Sequence, residues 1–355
     1  MNIGILTGGG DCPGLNAVIR SVVKLADKNG DKVFGFKNGW KGVIDGNYTN
    51  LEREDVTNII QLGGTILGTS RTNLRNISNG FKNAVRMLKT LKIEGLIAIG
   101  GEDTLGIAND LVNLPEGERF ANIIGCPKTI DNDLNNTDFS FGFDTAVTIA
   151  TEAIDRLHST AESHSRVMIL EVMGRDTGWI AIYAGMASGA DVIVIPEYPL
   201  SISEIISLIN RRHQNLEKTY SIVVIAEGIK AEDLLGDEIN NSQALVESRS
   251  KDSFGHVQYG GISHVLAKEI QSRTNIEARA IVLGYIQRGG TPTPRDRFLA
   301  TEFGIEAYKN AKAGNFGTMM AVHGTKIVPV KLSDAVSELK RVPIELYEQC
   351  KQFFG

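Results

Sequence analysis

The chain has 355 residues, 42% hydrophobic and 22% charged, which is long enough for two ordinary domains and has the balance of a globular protein. Its net charge of -5, with no run of Lys or Arg, argues against a nucleic-acid surface. No apolar run reaches the roughly 18 residues of a spanning helix, and "MNIGILTGGG" has no basic, cleavable leader, so neither membrane nor export is expected and a cytoplasmic location is.

In chain order, the apolar run "NIGILT" predicts a strand, and "GGGDCPG" turns it into an amphipathic helix over Leu15 to Lys28. Such a turn offers backbone N–H groups and a helix N-terminus to an anion. It is not the dinucleotide fingerprint, because Pro13 follows Gly8-x-Gly10-x-x. Cys12, Cys126 and Cys350 are far apart and in no C-x-x-C pair, so neither a disulfide framework nor a zinc site is expected. "GGTILGTSR" has P-loop glycine spacing without the lysine, leaving Arg71 as the available positive charge.

A helix is predicted over Asn79 to Leu91, then the strand "GLIAIG", whose end carries "GGEDT". Glu102 is placed to hold a magnesium ion, which takes one or two carboxylates plus substrate phosphates. Either Glu102 or Asp103 also suits the N-cap of the following helix. The next strand, "NIIGC", runs into "PKTIDND", which gathers Lys128, Thr129, Asp131 and Asp133 at the same edge. Helices over Phe143 to Ser163, Ile202 to Leu216 and Ser263 to Arg273 alternate with the strands "RVMILEV", "DVIVIPE", "SIVVIAEG" and "RAIVLGY". Arg166, Arg175, Arg279 and Arg288 lie near strand ends, and their planar forks suit phosphate. The polar stretch from Ala231 to His256 reads as a surface insertion, and "VPIELYEQCKQFF" as a short C-terminal helix. The expected fold is α/β, two doubly wound lobes with mostly parallel sheets and a cleft at the carboxyl ends of their strands.

Taken together, "LTGGGDCPGLNAVIR", "GGTILGTSR", "GGEDT", "PKTIDND", "EVMGRDTG", "IAEG" and "GYIQRGGTPTPRDR" resemble the 6-phosphofructokinase family, in order over most of the chain. The resemblance implies two similar lobes, a phosphoryl-donor lobe of residues 1–142 plus about 287–335 and a sugar-phosphate lobe of 143–286 plus about 336–355. It implies Asp131 as the base that takes the proton of the sugar 1-hydroxyl, with Thr129 and Asp133 beside it, and magnesium at Glu102. Gly9, Arg71, Thr104 and Arg175 would face the phosphoryl donor. Met173, Gly174 and Glu227 would hold fructose 6-phosphate, and Arg288 its phosphate. Arg166 and Arg279 match arginines lent to a neighbouring subunit, so a homodimer or homotetramer with shared sites is implied. Tyr285 stands where many members have histidine.

ATP-using members generally carry glycine at the place of Asp103, and many carry glycine at that of Lys128. The pair Asp103 and Lys128 matches the pyrophosphate-dependent branch, so the expected reaction is reversible transfer from pyrophosphate to fructose 6-phosphate, giving the 1,6-bisphosphate and phosphate. The alternatives are an ATP-dependent 6-phosphofructokinase and a catalytically silent sugar-phosphate sensor.

Overall fold

A strand covered on both faces must send alternate side chains into two different cores, and β1 (Asn2–Thr7) does so. Ile3 and Ile5 enter one core and Leu6 the other. Gly4 points where Leu96 and Phe36 leave no room, since a Cβ there would lie 2.9 Å from each. The computed structural model describes residues 1–215, 219–236, 253–255 and 260–355. Among them the strands continue with β2 (Lys32–Phe36), β3 (Tyr48–Leu51), β4 (Gly95–Gly100), β5 (Ile123–Pro127), β6 (Val167–Val172), β7 (Val192–Val194), β8 (Ser221–Ala226), β9 (Ala278–Val282), β10 (Thr318–His323) and β11 (Lys326–Lys331).

The helices are α1 (Leu15–Lys28), α2 (Trp40–Asp45), α3 (Gly80–Thr90), α4 (Glu102–Asn113), α5 (Phe143–His164), α6 (Trp179–Ala187), α7 (Ile202–Asn215), α8 (Ala231–Leu235), α9 (Ile262–Thr274), α10 (Pro294–Ala313), α11 (Leu332–Ala335) and α12 (Ile344–Lys351). All the apolar runs expected as strands are strands. The polar stretch expected as an insertion lies mostly outside the described residues; of it, α8 and Ser253 to Gly255 are described.

Two sheets result, one of order β11-β10-β5-β4-β1-β2-β3 and one of order β7-β8-β6-β9. Pairing is parallel except at β2 with β3 and β10 with β11. In the first sheet β1 lies between β2 and β4, so the chain reverses its winding direction there, and a crevice opens at the carboxyl ends. The glycine turns after β1 and β4 face each other across it, with Gly8 N donating to Ile99 O at 2.9 Å. In the second sheet β6 lies between β8 and β9, which puts the loop after β6 next to Glu227, whose N donates to Val172 O at 2.8 Å.

The edge near the N-terminus is held by one carboxylate. Asp31 accepts from the Met1 ammonium at 2.7 Å, Lys312 Nζ at 2.8 Å and Tyr308 Oη at 2.6 Å. Burial raises its pKa, but these donors outweigh burial and hold it at about 2. A folded-state pKa below the unfolded value gives stability that is present above about pH 4 and lost as pH falls through 2. Asp31→Asn should therefore lower the unfolding free energy by about 2 kcal/mol at pH 7, with the difference closing between pH 4 and 2. Urea midpoints against pH test this, and equal midpoints at pH 7 would refute it.

Candidate active site

Three turns at neighbouring strand ends of the first sheet, with the loop after β6 of the second, build one cleft. Gly9, with φ of 79°, supplies the tight turn after β1, where Gly9 N donates to Ser70 O at 3.0 Å and Thr69 Oγ1 to Gly9 O at 2.6 Å. These bonds join the Arg71 loop to the first turn. Gly101 is the N-cap of α4, so neither acidic residue caps the helix, and Glu102 and Asp103 occupy its first turn and line the cleft. Thr104 is buried behind Gly8, where a Cβ would sit 2.5 Å from Thr104 Oγ1.

Lys128 crosses from the end of β5 beneath Gly9 and donates from Nζ to Gly10 O. Burial pushes its pKa down to about 8, as does Arg288, while Asp131 and Asp11 oppose. Arg288 is nearly buried, and its guanidinium fills the space beside Gly10, 2.7 Å from where a Cβ would be. Thr129 Oγ1 accepts from Asp131 N at 3.1 Å, bending the loop so that Asp131 and Asp133 both reach the cleft. Asp131 is 3% exposed and its Oδ1 has no hydrogen-bond partner among the described residues. Burial, then the Asp131 charge, push Asp133 up to about 6, with Arg175 pulling it down.

Arg175 enters from the other sheet. It adopts a left-handed φ of 53°, and a side chain at Gly228 would meet its carbonyl at 1.8 Å. Its N donates to Glu227 Oε1 at 3.2 Å. Burial opposes its charge, but Asp131, Asp103 and Asp133 outweigh burial and hold the guanidinium ionised. Burial, then Asp131, push Glu227 up to about 7. The cleft thus sets Arg71, Lys128, Arg175 and Arg288 against four carboxylates, which is a preorganised field for a moving phosphoryl group.

Met173 and Gly174 lead into the Arg175 turn, and Met173 N donates to Gln287 Oε1 at 3.3 Å. Arg166 and Arg279 are elsewhere. Both pair with Glu277, Arg166 Nε at 2.7 Å, near the amino ends of β6 and β9. Tyr285 is 80% exposed and does not line the cleft of this chain. Sequence reasoning missed Gln287, a buried amide that also donates to Gly284 O at 3.2 Å. Its signal was only an amide beside Arg288 in an apolar context.

The implied magnesium has hard oxygen ligands available in Glu102 and its neighbours, while no three His, Cys, Asp or Glu side chains among the described residues form a ready metal cage. That set fits an ion that arrives on phosphate oxygens and takes one or two carboxylates.

Known proteins are similar to this chain over all or nearly all of its length. The chain is 52% identical over 357 residues, with full coverage of both chains, to the pyrophosphate--fructose 6-phosphate 1-phosphotransferase of Amycolatopsis methanolica. It is 47% identical over 99% of each chain to ATP-dependent 6-phosphofructokinase 3 of Streptomyces coelicolor. The solved pyrophosphate-dependent phosphofructokinase of Marinobacter aquaeolei superposes with a TM-score of 0.80 at 26% identity, covering 97% of this chain and 86% of that one. The phosphofructokinase family profile matches residues 2–311, and with the fold and the cleft described above, this chain belongs to the phosphofructokinase family.

Proposed function

We propose that the chain transfers a phosphoryl group from pyrophosphate to the 1-hydroxyl of fructose 6-phosphate, reversibly. The observation that carries the donor choice is that Asp103 and Lys128 line the same cleft as Asp131. Relatives named for pyrophosphate at 49–52% identity support it. In the forward step Asp131 takes the hydroxyl proton, the sugar oxygen forms its bond to phosphorus, and the P–O bond to the bridging oxygen of pyrophosphate breaks, releasing phosphate. Lys128, Arg71 and Arg175 balance the charge of the moving group and its leaving phosphate. Glu102 would hold a magnesium ion, which would supply further positive charge for the transfer. Met173, Gly174 and Glu227 bound the sugar, and Arg288 faces its 6-phosphate.

Arg166 and Arg279, remote from this cleft, serve the sugar site of a second copy, so the working form is a homo-oligomer. Burial and the Asp131 charge push Asp133 up to about 6, so Asp133 gains a proton as pH falls through that value, the cleft loses a carboxylate beside the base, and activity is expected to fall with it. Asp133→Asn removes the group that titrates there, so the fall of kcat near pH 6 should disappear from that variant. A limb still present near pH 6 in that variant would show that Asp133 is not what titrates.

The deciding experiment is a side-by-side assay of the purified protein with magnesium and fructose 6-phosphate, with pyrophosphate or ATP as donor. Turnover with pyrophosphate and not ATP is expected. Turnover with ATP alone would keep the family and reject the donor assignment, and turnover with neither would favour a sugar-phosphate sensor.

A further inference from the structure

The loop that carries Asp131 and Asp133 is braced partly by its own bonds and partly by a distant segment. Asn132 has φ of 52°; its Oδ1 accepts from Ser140 N at 3.0 Å, and Ser140 Oγ donates to Thr129 O at 2.7 Å. The other half of the loop lies against the segment between α11 and α12. Leu134 bridges antiparallel to Leu339, Asn135 N donates to Ala335 O at 3.3 Å, and Lys340 N donates to Asp133 O at 2.8 Å. The Lys340 side chain then closes the loop, its Nζ donating to Thr137 O at 2.8 Å and Asp138 O at 2.9 Å.

The same residue faces the second sheet. Its carbonyl accepts from Trp179 Nε1 at 2.7 Å, and its Nζ stands 5.1 Å from the centre of the Trp179 ring. Two residues on, Val342 N shares Glu197 Oε1 with Gly178 N, at 3.0 and 3.1 Å. Gly178 and Trp179 begin α6, directly after the turn that holds Arg175, and Thr177 of that turn donates from Oγ1 to Asp131 O at 3.4 Å.

We propose that Lys340 is a positioning residue for phosphoryl transfer: by binding the Asp131 loop and the start of α6 at once, it sets the distance between the base and Arg175. The proposal rests on the reading of Asp131 as the base. Lys340 is about 8 in pKa because burial lowers it, with Asp133 and Asp138 opposing, so it remains largely protonated at pH 7 and keeps both donations. Misplacement of reacting groups by about 1 Å costs about 100-fold in rate, so loss of this tie should appear in turnover and not in substrate binding.

The test is steady-state kinetics of the full chain with whichever donor turns over in the unsubstituted protein, with thermal midpoints as the folding control. Lys340→Met should lower kcat about 10- to 100-fold while KM for sugar and donor stay within about threefold. Lys340→Arg, which keeps charge and donors, should recover most of the loss. Trp179→Phe, which removes the donor to the Lys340 carbonyl together with part of the ring that packs against Tyr183 and Lys340, should lower kcat about threefold or more. A folded Lys340→Met with unchanged kcat, a loss that appears in KM, or no recovery by arginine each overturns the proposal. If Lys340→Met does not fold, unchanged kcat in Trp179→Phe overturns it and a selective kcat loss supports it. Absence of turnover in the unsubstituted protein with either donor defeats the reading of Asp131, and this proposal with it.

Discussion

Asp131→Asn is expected to lower kcat by about two to four decades while KM for fructose 6-phosphate changes little. Asparagine keeps the shape of the buried side chain and its place in a loop fixed by Thr129 and Lys340. What it loses is the capacity to take a proton, and the nearby Asp133 points into the same cleft from a different register of the loop. Sugar binding should persist because Arg288 and Glu227, the contacts proposed for it, are untouched. A second signature accompanies the loss. Asp131 is one of the charges that push Glu227 up, so Glu227 should titrate lower in the variant. Isotope-resolved titration of that carboxyl and single-turnover rates check both, and a kcat within tenfold of the unsubstituted protein would remove Asp131 from its role.

Asp103→Gly is expected to admit ATP, with turnover well below that on pyrophosphate. Asp103 lies in the first turn of α4 and contributes to the field at Arg175, so its charge is felt where the donor must lie. Two like charges about 4 Å apart cost roughly 4 kcal/mol at an effective dielectric of 20, nearly three decades in affinity before any steric term. Glycine removes both the charge and the side chain. Turnover should stay poor because Lys128, proposed to hold the end of a short donor, remains in place. Calorimetry with ATP, alongside the coupled assay, measures the two effects separately. No ATP binding and no ATP turnover in the variant would refute the charge argument.

The buried parallel strands were legible because each is a nearly unbroken apolar run, and their shared direction placed every glycine turn at one edge. The cleft followed from that, which is why Gly9, Arg71, Glu102, Asp103, Lys128, Asp131 and Arg175 meet as the motifs implied. Strands β2, β3, β10 and β11 were less legible. β3 and β11 are edge strands with mostly half-buried or exposed patterns, and "KIVPVK" carries a proline and a lysine at each end, as edges do. Helix α10 was missed although Thr293 caps it, accepting from Asp296 N at 3.2 Å. Its buried stripe is largely Ala300, Gly304, Ala307 and Ala311, so the contrast between its faces is weak. Lys340 gave no signal, because a lysine 207 positions from the carbonyl it meets looks like any solvated cation.

The chain passes from the first sheet to the second along α5, returns along α10, and leaves again through Ser337 to Val342 to end against β7, where Tyr347 Oη donates to Ile193 O at 3.2 Å. Three crossings, with the Trp179 to Lys340 and Val342 to Glu197 bonds beside the last of them, tie the two sheets together at more than one place. Any opening or closing of the cleft therefore bends all three crossings at once, a coordinated change at a few segment ends rather than the free swing that a single linker allows.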